Sequence, residues 1–100
     1  MNLQTTVEGT TATIAVEGRL SVATSIELEN EVSGLPETVN SFDFDLSGLE
    51  YISSAGLRVL VSTQKLATQR GGTMVLRNPT SEVYDVFEMT GLADIFTIEK

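Results

Sequence analysis

The stretch from Ser54 to Gln69 constrains the fold more than any other part of the chain. Arg58, Ser62, Lys65 and Gln69 recur at helical spacing as one narrow polar stripe, while Ala55, Leu57, Val59, Leu60, Val61, Leu66 and Ala67 take the rest of the surface. That pattern predicts a helix buried on most of its circumference. Gly71 and Gly72 stop it, and Thr73 to Arg77 then reads as a strand carrying Met74, Val75 and Leu76.

The flanking segments supply the layer against which such a helix is buried. Leu3 to Glu8 and Ala12 to Glu17 alternate apolar and polar residues on either side of Glu8, Gly9 and Thr10, which predicts a β-hairpin. Ser21 to Leu35 reads as a helix on the spacing of Leu28, Val32 and Leu35, with Glu27 and Glu31 on other faces and Ile26 and Glu29 interrupting the stripe. After the stop signals Gly34 and Pro36, Phe42, Phe44 and Leu46 alternate with Asp43 and Asp45 as in a strand with one buried face. A third helix follows Pro79, capped by Thr80 or Ser81, with Val83, Val86 and Phe87 inward and Gly91 at its end; Ile95 to Ile98 closes as a short strand.

The expected order is therefore β-β-α-β-α-β-α-β. Right-handed crossovers make the last four strands parallel and leave the first antiparallel at an edge. The weak second face of several strands places the helices mainly on one side, giving a two-layer α/β fold over a five-stranded mixed sheet. A length of 100 residues fits one domain, residues 1–100.

Charge and missing residue types narrow the chemistry. The net charge of −8 disfavours nucleic acid and anionic membrane surfaces, both of which attract Lys and Arg clusters. The absence of Cys and His removes the usual zinc ligands and the commonest general base, so neither a metal nor a cofactor is expected. A Ser54–Lys65 dyad fails because helical rise separates the two by about 16 Å. Glu27, Glu29 and Glu31 do not share one helical face, and Asp43 and Asp45 lack further ligands. With no nucleophile beside a base, an enzyme is not expected. The N-terminal MNLQTTVEGT has no signal-peptide pattern and no segment is long enough to span a membrane, so the expected location is cytoplasmic, without membrane insertion.

The segment Asp45 to Leu57, DLSGLEYISSAGL, leads from a strand end through a polar loop into the buried helix. Unpaired N–H groups and the positive dipole end at such a helix start tolerate a phosphate on Ser53 or Ser54, although either serine also serves simply as a cap. DLSGLEYISSAGLRVL resembles the signature of bacterial anti-sigma-factor antagonists of the STAS family. VFEMTGLADIF resembles the family's last helix and turn, and GRL precedes the first helix, so the resemblance spans nearly the whole chain.

The resemblance implies a stand-alone STAS fold and a switch in which the second residue of the Ser53-Ser54 unit, Ser54, accepts phosphate. The unphosphorylated form would bind an anti-sigma factor with Ser/Thr kinase activity, phosphorylation would release it, and a metal-dependent Ser/Thr phosphatase would reset it. Ser21, Ser53, Ser54, Ala55, Gly56, Leu57 and Arg58 are the implied partner-binding residues. Many relatives carry Asp at the positions of Ser53 and Ser21, which leaves Ser53 as the alternative acceptor. It also leaves open a phosphorylation-independent subunit of a transporter or larger signalling assembly.

Overall fold

In the computed structural model, which describes residues 1–100, the chain opens with the expected hairpin of β1 (Asn2–Glu8) and β2 (Thr11–Leu20). Helix α1 (Val22–Ser33) leads to β3 (Ser41–Asp45) and the short β4 (Leu49–Ile52). Helix α2 (Ser54–Gln69), β5 (Met74–Arg77), α3 (Ser81–Met89) and β6 (Thr97–Glu99) complete the order, with one 3₁₀ turn at Leu92–Asp94. α2 is less enclosed than its pattern predicts: six of its sixteen residues are buried, and Thr68 joins Arg58, Ser62, Lys65 and Gln69 in solvent. The main path of the sheet is β1-β2-β3-β5-β6. β1 is antiparallel to β2 at an edge, and β2, β3, β5 and β6 run parallel, as the crossover rule requires.

The strand count differs from expectation. Leu49–Ile52, read from sequence as part of a polar loop, is a sixth strand that lies off the main path and pairs with the end of β2. β2 is long enough to serve two partners, β3 along Thr11 to Ala15 and β4 along Gly18 to Leu20. The register shifts between Gly18 and Arg19, where Gly18 adopts φ 98, a value that side chains rarely tolerate. β4 escapes pattern reading because it has only four residues, with Leu49 and Ile52 buried and Glu50 and Tyr51 exposed, which is not a period of two.

One face of the sheet forms the core. Ala12, Phe42 and Met74 stand in register across three strands, as do Ile14, Phe44 and Leu76, and all six are buried. All three helices feed the same cluster, through Leu28 and Val32 from α1, Leu57, Val59, Leu60 and Ala67 from α2, and Val83 and Phe87 from α3. Phe87 meets Phe96 edge to face at 5.7 Å. The opposite face carries Thr13, Asp43 and Thr97, and beside them Asp45, Arg77 and Glu99. There Arg77 Nε donates to Asp43 Oδ1 at 2.6 Å and its Nη1 pairs with Glu99, tying β3, β5 and β6 together. The hydrogen bond and charge of Asp43, with Glu99 adding to them, hold the Arg77 guanidinium above its ordinary pKa.

The helix boundaries follow capping chemistry. Ser21, Ser53 and Thr80 each cap a helix by accepting from a backbone N–H three residues on. Thr80 takes the position for which Ser81 was the alternative. α2 keeps the bounds its polar stripe predicts, while α1 ends at Ser33, two residues before the expected Leu35.

Candidate partner-binding site

Two helix starts meet at one end of the molecule because the strands that feed them are neighbours. Leu20 at the end of β2 pairs with Ile52 at the end of β4, and Ser53 N–H donates to the Leu20 carbonyl at 2.8 Å. α1 and α2 therefore begin side by side, with the positive ends of their dipoles close together. At the start of α1 the cap is reciprocal. Ser21 Oγ accepts from Thr24 N–H at 3.3 Å, Ser21 N–H donates to Thr24 Oγ1 at 2.8 Å, and the Thr24 hydroxyl donates to the Arg19 carbonyl at 2.7 Å.

The two adjacent serines at the start of α2 have different surroundings. Ser53 is 7% exposed and its Oγ accepts from Gly56 N–H at 3.1 Å. It is the N-cap. Ser54 is the first residue of the helix proper and stands exposed, with half-buried Ala55 behind it and exposed Arg58 one turn along. Gly56 and Leu57 face inward. A Cβ on Gly56 would lie 2.7 Å from Leu20 Cγ and 3.0 Å from Ile52 Cγ1, so this turn of α2 rests directly on the ends of β2 and β4.

Of the seven residues implied by sequence resemblance, the structure brings all to this end of the fold but gives them two environments. Ser54 and Arg58 are exposed and Ser21 and Ala55 are half-buried; Ser53, Gly56 and Leu57 are buried. The buried three shape and hold the surface without forming its outer face.

Sequence reasoning missed several neighbours. Val22 and Ile26, on the first turns of α1, are 68% and 60% exposed. They line a groove of about 280 Å³ between α1 and α2, together with Ala55, Arg58 and Ser62. Arg19 lies over the Tyr51 ring at 4.3 Å, on strand positions that are paired in register. The signal for Ile26 was present in the sequence as an apolar residue off the core stripe of its helix; the Arg19–Tyr51 pair depends on β4, which the sequence did not reveal. No group of three or more carboxylates is placed to hold a metal ion. No helix is long and apolar enough to cross a membrane.

The model of the STAS domain matches residues 2–100. The chain belongs to the STAS domain family. The anti-sigma-B factor antagonist of Bacillus subtilis (strain 168) is 30% identical to this STAS domain over 85 residues, covering 85% of it and 78% of the Bacillus protein. The anti-sigma factor antagonist SpoIIAA in its unphosphorylated form superposes with a TM-score of 0.82 at 19% identity, over 99% of this chain and 89% of that one. SpoIIAA of Bacillus in the phosphorylated form superposes with a TM-score of 0.77, also at 19% identity, over 99% and 92%. This STAS domain thus shares its fold with both forms of SpoIIAA.

Proposed function

We propose that this STAS domain is an anti-sigma-factor antagonist that works by partner switching, with Ser54 as the phosphate acceptor. The observation that carries the reading is the contrast at the start of α2, where Ser53 is buried and committed to capping while Ser54 is exposed. In the unphosphorylated form, the exposed surface of Ser54, Arg58, Val22 and Ile26 docks on an anti-sigma factor that is itself a Ser/Thr kinase. The domain does no chemistry of its own. It offers a hydroxyl and a binding face, and the kinase supplies the phosphoryl group.

A phosphate on Ser54 adds about −1.5 to −2 charges to a surface that had been desolvated by the partner. Within the domain that charge is tolerated, since it sits at two converging helix starts and one turn from the Arg58 guanidinium. Against the partner it is not, so release follows from like-charge repulsion and the cost of burying a dianion. Refolding is unnecessary. A metal-dependent Ser/Thr phosphatase removes the phosphate and restores binding.

The test is titration of the anti-sigma kinase with three variants. Ser54→Asp is expected to weaken binding by about tenfold or more, near 1.4 kcal/mol. Ser54→Ala is expected to bind as the parent does and to stay bound when ATP is added. Ser53→Ala is expected to be phosphorylated and released. Tight binding by Ser54→Asp would defeat ejection by charge and favour a phosphorylation-independent subunit.

A further inference from the structure

The outer edge of β1 is left without a partner by the sheet order. Its seven residues pair with β2 in unbroken register from Asn2↔Glu17 to Glu8↔Thr11. Gly9 at φ 61, followed by Thr10 at negative φ, closes the hairpin as a two-residue turn of type II′. Such a turn makes Glu8 and Thr11 a hydrogen-bonded pair. Antiparallel alternation then turns the backbone N–H and C=O groups of Asn2, Gln4, Thr6 and Glu8 toward β2 and those of Leu3, Thr5 and Val7 outward. The other side of β2 agrees in parity, because the Thr10 carbonyl accepts from Ser41 N–H on β3 at 3.2 Å.

Proteins usually close such an edge with Lys, Pro, a bulge or a very short strand. The opposite edge of this sheet follows that rule, since β6 has three residues and is followed by Lys100. β1 does not. It has no Lys, Arg or Pro and no register shift, and its one charge, Glu8, sits at the turn. In a chain with 14 acidic residues, Leu3 to Val7 carries no carboxylate of its own, and the one bonded to it, Glu31, is held by the Thr5 side chain on the helix side.

We propose that β1 is a self-association edge, on which a second copy of this chain pairs antiparallel about a two-fold axis at Thr5. A centre at Thr5 sets Leu3 opposite Val7 of the second copy and Thr5 opposite its own counterpart, the residues whose backbone groups point outward. About six backbone hydrogen bonds would join the two sheets. A centre at Thr6 opposes only Thr5 and Val7 among the outward residues, for about four bonds, and one at Gln4 needs Met1, outside β1, opposite Val7. Leu3, Thr5 and Val7 stand opposite Val16, Ile14 and Ala12, so their side chains lie on the helix side of the sheet. There Leu3 and the 41% exposed Val7 meet across the axis and extend the apolar layer. The Thr5 hydroxyl donates to Glu31, which holds that side chain toward α1 and leaves the backbone edge clear. Glu8 faces Asn2 of the second copy, not another carboxylate.

The test is sedimentation of the full chain from micromolar to millimolar concentration, with backbone amide exchange on the same samples. A monomer–dimer equilibrium is expected, tightening as salt screens the repulsion between two chains of −8. Exchange at Leu3, Thr5 and Val7 should slow as concentration rises, while Gln4 and Thr6 stay unchanged. Thr5→Pro removes an outward N–H and no hairpin bond, and Val7→Lys places a charge on the edge; each should weaken association about tenfold or more. If Thr5→Pro fails to fold, Val7→Lys and the exchange pattern of the parent chain decide. A chain that is monomeric throughout, or a dimer indifferent to Val7→Lys, would overturn the proposal. Neither result bears on Ser54.

Discussion

Ser53 and Ser54 share a side chain and differ in everything around it. Ser53 spends its oxygen on Gly56 N–H inside the fold, whereas Ser54 meets solvent. Ser53→Ala should therefore cost about 1 kcal/mol of folding stability through the lost cap, read as a lower urea midpoint, with transfer of phosphate to Ser54 retained. Gly56→Ala should cost about 1–3 kcal/mol by the same measurement, because its Cβ would meet Leu20 at 2.7 Å. Which serine is exposed was not legible in the sequence, where both are equally good caps. The choice is made by the length of β4, which ends at Ile52 and leaves Ser53 to bond the Leu20 carbonyl. Family resemblance pointed to Ser54; what the structure adds is that Ser54 is exposed and Ser53 buried.

Among the elements, α2 was readable to its last residue because its apolar residues recur at helical spacing and glycines follow it, although Gln64 and Thr68 make its wet face wider than the stripe suggested. Its backbone amides from Leu57 to Leu66 should be among the slowest to exchange in the molecule, and fast exchange there would contradict the packing described. β4 was unreadable for the opposite reason. Four residues carry too little pattern, and this strand exists because β2 outlasts its pairing with β3 and turns to a second partner at the Gly18 bulge. α1 lies between these cases. Leu28 and Val32 mark its inner face, while Ile26 breaks the stripe because it faces out, beside the groove to α2. Ile26→Ala should leave folding stability within about 0.5 kcal/mol of the parent chain, as surface changes do. Binding to the anti-sigma kinase should fall by about fivefold or more, measured by the same titration as for Ser54. Unchanged affinity would remove α1 from the docking face.

At the scale of the whole molecule, the parallel strands and their helices form one core that a surface charge has no need to disturb. Arg77 ties three strands on the open face, and the core cluster draws on every helix. The likeness to SpoIIAA, in its unphosphorylated and phosphorylated forms, is a likeness of fold. Phosphorylated protein should accordingly keep its circular dichroism and its urea midpoint, with amide exchange altered only near the starts of α1 and α2; global loss of protection would mean release by unfolding. Phosphate mapping on protein isolated from its native cells, in growth and under stress, tests the switch most directly. Intact mass followed by fragmentation between Ser53 and Ser54 should find one phosphate, on Ser54, whose occupancy changes with condition. Phosphate on Ser53, or none in any condition, would contradict it.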